Sequence, residues 1–168
     1  MNEQVLDTDY SRLLIKAGCD SGIGHYPIDP AVYDRVLRMV RPATRDLNRK
    51  PRFTRRPTDR LDDYRLLALE IARVLQREMP LELLESRYST LQYHTDKTMP
   101  YRATNAVVIF AEGISGGELV FPDKDLAVPV EPGWLITFDG ARERHGVAAQ
   151  RPQTESAWRV SLTYYLPR

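Results

Sequence analysis

The sequence has few of the residues that cross-link a chain or anchor it in a membrane. Its 168 residues include a single cysteine, Cys19, which excludes an intrachain disulfide and is compatible with a reducing compartment. No apolar run approaches the roughly 20 residues that a membrane span needs, and the polar segment Met1–Tyr10 predicts no secretory signal. The formal net charge of +1 indicates no global field for a polyanion. We therefore expect one cytoplasmic domain over residues 1–168.

The first 80 residues are expected to form a helical support. Residues 1–28 predict irregular structure with one strand at most, in which His25 would be exposed or would cap a helix. Asp29-Pro30 predicts the start of a helix, because aspartate caps free amides and proline suits the first helical position. Apolar residues then recur at four-residue spacing, and Arg41-Pro42 predicts the end of the helix or a kink.

A second helix is predicted over residues 60–79, capped by Thr58 or Asp59 and ended by Pro80. Its apolar stripe would pack on a sheet, with Glu70 among the residues that face water. The connecting segment 41–60 is rich in arginine and lysine and is broken by prolines. This segment is either a solvated connector or an electropositive loop for phosphates or another anionic partner, nucleic acid included.

From residue 81 onward the pattern changes to short β-rich segments separated by turn residues. Strands are predicted at 84–90, 91–96, 104–112, 117–121, 126–130, 134–138, 145–149 and 157–166. About eight strands at this spacing indicate a β-sandwich or closed barrel over 81–168. The fold class is therefore mainly β, with the two N-terminal helices backing one face of the sheet.

Three scattered side chains could form one metal site. His94 and Asp96 lie two residues apart in a predicted strand and would project from the same face. Together with His145 they would complete the two-histidine, one-carboxylate set that binds non-haem Fe(II) and leaves coordination positions open. In the last strand, Arg159 and Ser161 share a face, and a guanidinium beside a hydroxyl suits a carboxylate ligand.

In this arrangement the chain resembles the Fe(II)/2-oxoglutarate-dependent oxygenases, and in particular their prolyl-hydroxylase-like branch. The resemblance covers residues 83–168 and includes the order His-x-Asp, distal His, Arg-x-Ser. Further segments resemble elements of that branch: Ser115–Pro122 its Gly-Gly strand, Val130–Phe138 its Pro-x-x-Gly segment, Arg144–Val147 its second-histidine segment, and Arg87-Tyr88 an upstream element. Ser115–Pro122 is also similar to small enzymes of the TET/base-J-binding-protein type.

The resemblance implies a double-stranded β-helix core of jelly-roll type. It implies that His94, Asp96 and His145 bind iron, and that Arg159 and Ser161 hold the distal carboxylate of 2-oxoglutarate. Tyr88 would be either a further cosubstrate contact or a core aromatic. The implied reaction consumes O2 and 2-oxoglutarate, releases succinate and CO2, and oxidises a C–H bond. Because related halogenases lack the carboxylate ligand, the presence of Asp96 favours hydroxylation.

The substrate is left open by the sequence. The resemblance fits, in order of preference, hydroxylation of a small molecule or amino acid, hydroxylation of a peptide, and oxidation of a 5-methylpyrimidine base in nucleic acid. A cupin-like metalloenzyme that does not use 2-oxoglutarate, and a non-catalytic binding module that keeps the fold, are the interpretations from other classes. The Arg159–Ser161 pair argues against the first, and the intact metal-ligand set argues against the second.

Overall fold

A computed structural model of the chain describes residues 18–20, 22–42, 52–58, 62–87, 91–96 and 103–167. Within these ranges there are two α-helices, α1 (Pro30–Val40) and α2 (Asp62–Leu75), neither of which is long and apolar enough to cross a membrane. The same ranges contain thirteen strands: β1 (Gly18–Asp20), β2 (Ile23–Pro27), β3 (Arg52–Pro57), β4 (Glu82–Arg87), β5 (Leu91–His94), β6 (Ala103–Glu112), β7 (Ile114–Gly116), β8 (Leu119–Phe121), β9 (Leu126–Val128), β10 (Trp134–Phe138), β11 (His145–Val147), β12 (Gln150–Pro152) and β13 (Trp158–Pro167).

The strands pair antiparallel into two facing sheets and one small ribbon. Among the described residues, the large sheet has the order β1-β2-β10-β6-β13-β4-β3, the smaller sheet the order β5-β11-β8-β9, and β7 pairs with β12. Strand β6 shows how one strand serves two cores, because neighbouring side chains point to opposite faces. Val107 and Ile109 face the smaller sheet, whereas Val108 and Phe110 face the helices.

This arrangement confirms the predicted fold class: a jelly-roll β core backed by two helices. Helix α1 begins as predicted, since the Asp29 carboxylate accepts a hydrogen bond from the Ala31 amide at 2.7 Å and Pro30 occupies the first turn. It ends at Val40, immediately before Arg41-Pro42. The second helix is described from Asp62 onward and ends at Leu75, four residues before the predicted end.

Several predictions about the N-terminal half were wrong. In residues 18–20 and 22–28, the described part of segment 1–28, there are two strands, β1 and β2, where irregular structure with one strand at most was expected. His25 is not exposed: it is 4% accessible and its ring stacks on that of Trp134, 4.2 Å away. The Thr58 hydroxyl is buried and donates to the Pro80 carbonyl; the predicted cap by Thr58 or Asp59 involves residues 59–61, which lie outside the described residues.

Glu70 was also expected to face water, yet it is buried. Its carboxylate accepts hydrogen bonds from the Asp29 amide at 2.8 Å and from Arg73, so it joins the start of α1 to α2. The hydrogen bond from Arg73 lowers the pKa of Glu70; burial acts in the opposite direction and the Asp29 amide lowers it further. A carboxylate that is paired in this way tolerates burial.

The basic segment 41–60 contains a strand that the sequence did not predict. Strand β3 pairs with β4 along its whole length and forms one edge of the large sheet. An edge position accommodates Pro57 and a run of arginines, because no strand of the described residues pairs with the outer side of β3. The pairing matters for function because it places Phe53 opposite Ser86, at the side of the candidate site.

Candidate active site

The two histidines come together because their strands are neighbours. Strand β5 pairs with β11, and this register sets His94 directly opposite His145, with ring centroids 4.4 Å apart. Asp96 follows β5 after one residue, and its Oδ1 lies 3.4 Å from Nε2 of His94 and 3.8 Å from Nε2 of His145. One ligand atom from each of the three residues fits within 4.8 Å, which is the spacing of a single metal ion.

The contacts that position Asp96 differ from those predicted from the sequence. The strand ends at His94, so the shared face of an i, i+2 pair does not place the carboxylate. Instead the Asp96 amide donates to the Gly140 carbonyl at 2.7 Å. The Asp96 Oδ2 accepts a hydrogen bond from Nδ2 of Asn105 at 2.7 Å. Oδ1 is thereby directed at the imidazoles, as expected for a carboxylate that binds a metal through one oxygen.

Hydrogen bonding to the backbone determines which nitrogen of each imidazole can bind a metal. Nδ1 of His94 lies 2.9 Å from the Gln92 carbonyl, and Nδ1 of His145 lies 2.8 Å from the Glu143 carbonyl. Because a carbonyl only accepts, each Nδ1 must carry the proton. The lone pair of each neutral ring then lies on Nε2, the nitrogen that faces Asp96.

The protonation of His145 also suits a metal ligand. Burial lowers the pKa of the His145 imidazole, and the nearby His94 acts in the same direction. The Glu143 carbonyl and the Asp96 charge oppose this shift without cancelling it. The ring is therefore neutral at neutral pH, the form that coordinates metal ions.

Arg159 lies in the same pocket as these three residues. It is 3% accessible, and its Nη1 donates to the Ser161 hydroxyl at 2.6 Å. The pocket has a volume of about 80 Å³. It is lined from both sheets by the following residues: Phe53, Leu84, Ser86, Leu91, His94, Asp96, Asn105, Val107, Leu119, Phe138, His145, Val147, Arg159, Ser161, Thr163 and Tyr165.

The structure thus brings together five of the six residues singled out from the sequence: His94, Asp96, His145, Arg159 and Ser161. Tyr88 lies outside the described residues. Sequence reasoning missed Asn105, although a lone amide in an apolar strand is an unusual choice. It also missed Gly140, which has the appearance of an ordinary turn residue, and Phe53, the aromatic of a basic run.

The arginines of the basic segment are partly neutralised in the fold. Arg41 pairs with Glu112, and Arg56 pairs with Glu85 at 3.1 Å. Arg52 makes no ion pair within the described ranges and is exposed. Among the described residues of the segment, Arg41 and Arg56 are therefore paired with carboxylates, and Arg52 is an exposed positive charge on β3.

Comparisons with known proteins rest on the fold. No protein-family model matches the sequence, and no curated protein matches it. Among solved structures, the viral collagen prolyl hydroxylase from Paramecium Bursaria Chlorella virus-1, in its 2OG complex, matches with a TM-score of 0.62 and 13% identity, over 86% of this chain and 96% of that chain. A prolyl-4-hydroxylase from Pseudomonas putida matches with a TM-score of 0.59 and 20% identity, over 88% and 93% of the two chains.

NgTET1 in complex with 5mC DNA matches with a TM-score of 0.55 and 12% identity, over 89% of this chain and 75% of that chain. All three are 2-oxoglutarate/Fe(II) oxygenases, so the chain shares its fold with this class of enzyme. At these identities the likeness establishes the fold alone.

Proposed function

We propose that this protein is an Fe(II)- and 2-oxoglutarate-dependent oxygenase that hydroxylates a C–H bond. The observation that carries the proposal is the convergence of Nε2 of His94, Nε2 of His145 and Oδ1 of Asp96 in one pocket with a buried arginine. Two imidazoles and one carboxylate on adjacent elements are the donor set of non-haem Fe(II) oxygenases. The shared fold of the three structural neighbours supports the same class.

The residues of the pocket fit both an iron ion and 2-oxoglutarate. Each histidine offers Nε2 because its Nδ1 is held by a carbonyl, and Asn105 occupies the second oxygen of Asp96. Arg159, held by Ser161, would bind the distal carboxylate of 2-oxoglutarate. When bound, iron and 2-oxoglutarate would supply dioxygen activation coupled to decarboxylation to succinate and CO2, with one oxygen atom inserted into substrate.

The protein's own contribution is then binding, orientation and exclusion of water. Phe138 packs against the His145 ring at 4.6 Å, edge to face, which limits the tilt of that ligand. Leu119 and Val147 line the same pocket and keep it partly apolar. Because Arg159 is buried, its attraction to a carboxylate is screened less than that of a surface arginine.

The size of the pocket bears on the substrate. A volume of about 80 Å³ holds a handful of water molecules, which is on the scale of 2-oxoglutarate alone. A substrate would then present its reacting group at the mouth and keep its bulk outside. A pocket of this size is compatible with a peptide or a nucleic-acid base as substrate, the second and third preferences from the sequence.

Metal binding and cosubstrate turnover test the proposal directly. We expect anaerobic titration with Mn(II) or Fe(II) to show one site, and the His94→Ala variant to lose it. With Fe(II), O2 and 2-oxoglutarate, we expect succinate to form, and a screen of amino acids, peptides and methylated oligonucleotides to identify the substrate. Substrate turnover without consumption of 2-oxoglutarate would favour a cupin-like metalloenzyme instead, and failure to bind metal would favour a binding module.

A further inference from the structure

Ser86 is a buried serine whose side chain lines the candidate site. It lies on β4, is 4% accessible, and contributes to the pocket that contains His94 and Arg159. Its hydroxyl group makes no hydrogen bond to any residue in the part of the chain that the structure describes. Buried polar groups in folded proteins are nearly always hydrogen-bonded. The partner of this hydroxyl is therefore a group that occupies the pocket.

The register of the large sheet sets Ser86 beside Ser161. The two residues are directly paired across β4 and β13. Side chains that oppose each other in such a pair share a face of the sheet, with their β-carbons about 4.5–5.5 Å apart. On the other side of β13, the residue opposite Ser161 is Ile109, which is buried in an apolar cluster. The hydroxyl groups at this level of the sheet therefore lie together on the β4 side.

Ser161 brings a second hydroxyl proton to the same place. Its oxygen accepts a hydrogen bond from Nη1 of Arg159 at 2.6 Å, so the hydroxyl group still has its own proton to donate. None of the described residues accepts that proton. Ser86 and Ser161 thus present two hydroxyl donors beside a guanidinium. This combination suits a negatively charged group that only accepts hydrogen bonds, and an ionised carboxylate is such a group.

We propose that Ser86 donates a hydrogen bond to the distal carboxylate of 2-oxoglutarate, so that β4 and β13 hold this carboxylate together. The inference rests on the proposed oxygenase function and adds a cosubstrate-binding residue that the sequence resemblance did not include. Arg159 and Ser161 would bind the carboxylate from β13, and Ser86 would bind it from the neighbouring strand. An ionised carboxylate has about four lone-pair sites on its two oxygens, so it can accept from all three side chains.

The position of the hydroxyl pair along the sheet fits this orientation of the ligand. Asn105, which contacts Asp96, and Ile109, which is opposite Ser161, lie four residues apart on β6. The metal ligands and the hydroxyl pair are therefore at separate levels of the pocket. Val107 lies between these levels and lines the pocket with an apolar side chain. A ligand that spans them needs a polar group at each end and carbon atoms between, as 2-oxoglutarate has.

The test measures binding of 2-oxoglutarate to the full chain loaded with Mn(II), by isothermal titration calorimetry without O2. We expect Ser86→Ala to weaken 2-oxoglutarate binding by about 10- to 150-fold, the effect of one hydrogen bond to a charged group. Mn(II) affinity should stay at the wild-type value, because Ser86 makes no hydrogen bond to the metal ligands. Wild-type affinity for 2-oxoglutarate in Ser86→Ala would overturn the proposal.

Oxalate separates a contact to the distal carboxylate from a general disturbance of the pocket. It can chelate a metal ion through two oxygen atoms, but it has no carboxylate at the far end of a carbon chain. Ser86→Ala should therefore bind oxalate as tightly as the wild-type protein does. Equal losses of oxalate and 2-oxoglutarate affinity would contradict the role assigned to Ser86.

Two further substitutions at the same position form a matched pair. Ser86→Thr and Ser86→Val add similar bulk, and both β-branched residues suit a strand, but only the first keeps a hydroxyl group. We expect Ser86→Thr to bind 2-oxoglutarate at least about 10-fold more tightly than Ser86→Val. Equal affinities in the pair would mean that the hydroxyl makes no contact with the cosubstrate.

Thr163 tests the level at which the carboxylate binds. It lines the same pocket from β13, two residues beyond Ser161, and is opposite Leu84 and Val107. Thr163→Val removes its hydroxyl group and keeps its shape. We expect a smaller loss of 2-oxoglutarate affinity in this variant than in Ser86→Ala. A larger loss would assign the carboxylate to the level of Thr163 and would overturn the assignment to Ser86.

Failure of this inference is distinguishable from failure of the proposed function, because the first appears in the variants and the second in the wild-type protein. If the wild-type protein binds Mn(II) and forms succinate, while Ser86→Ala binds 2-oxoglutarate normally, the oxygenase proposal stands and the role of Ser86 is wrong. If the wild-type protein binds Mn(II) and oxalate but not 2-oxoglutarate, both proposals are wrong.

Discussion

Gly140 provides the sharpest test of how the metal site is built. A β-carbon at this position would lie 2.2 Å from Oδ2 of Asp96 and 2.4 Å from Nδ2 of Asn105. Ordinary van der Waals contact begins at 3.4 Å, so in Gly140→Ala the β-carbon and the Asp96 carboxylate must move about 1.2 Å farther apart. Both neighbours would have to move, and they are the two ends of the hydrogen bond that orients Asp96.

The expected loss of Mn(II) affinity can be estimated from the hydrogen bond between Asn105 and Asp96. A bond to a charged group contributes about 1.5–3 kcal/mol, which corresponds to about 10- to 150-fold in a binding constant. Loss of a residue that orients a metal ligand reduces metal affinity by about 10- to 100-fold in known metalloproteins. We therefore expect Gly140→Ala to weaken Mn(II) binding by about 10- to 100-fold.

Anaerobic Mn(II) titration measures this effect, with Gly133→Ala as the matched control. Gly133 has a φ of +80°, and a β-carbon added there would meet no atom within 4 Å, so its replacement strains the backbone without touching the site. The control should lose about 1 kcal/mol of stability and about 2–4 °C in Tm while keeping its Mn(II) affinity. Wild-type Mn(II) affinity in Gly140→Ala would refute the role assigned to Gly140 and to the Asn105–Asp96 bond.

Three further predictions address the cosubstrate, the reaction and the scaffold. Arg159→Ala should raise the 2-oxoglutarate concentration needed for succinate formation far more than it alters Mn(II) affinity; equal losses would undermine its role. Asp96→Gly should abolish hydroxylation, and retained product formation would remove Asp96 from the ligand set. Burial raises the pKa of Glu85, but hydrogen bonds from Tyr64 and Arg87 outweigh it and leave the pKa lowered. The ionised Glu85 carboxylate therefore stabilises the folded state, and this stabilisation is complete above a carboxyl's usual pKa of about 4.3. Glu85→Gln should therefore cost about 1.5–3 kcal/mol in urea unfolding at pH 7, and the difference from wild type should shrink as pH falls below about 4; a constant difference would contradict the shifted pKa.

Much of the fold was predictable because its signals are local. The cap at Asp29, the helix end before Pro42 and the strand Trp134–Phe138 each depend on residues close in sequence. Features that depend on distant partners were not predictable. His25 is buried because Trp134 stacks on it, and β3 forms because β4 pairs with it, despite two prolines nearby in the sequence.

The same division applies to the candidate site. His94, His145 and Arg159 were found because histidines are few in this chain and the order of these residues resembles a known motif. Asn105 and Gly140 belong to no motif, and their importance lies in contacts made across the fold to Asp96. Such contacts have no signature along the chain, since an asparagine in a strand and a glycine in a turn occur for many reasons.

A glycine also determines how closely the two histidine strands approach. A β-carbon at Gly146 would lie 2.7 Å from the Tyr93 ring and 2.8 Å from the Leu91 carbonyl oxygen, both on β5. Because a carbonyl on a paired strand cannot give way without breaking the ladder, only glycine permits this spacing between β5 and β11. That spacing sets His94 opposite His145. Gly146 therefore fixes the spacing of the imidazole pair, and Gly140 leaves room for the hydrogen bond that orients Asp96, so the geometry of the candidate metal site depends on both glycines.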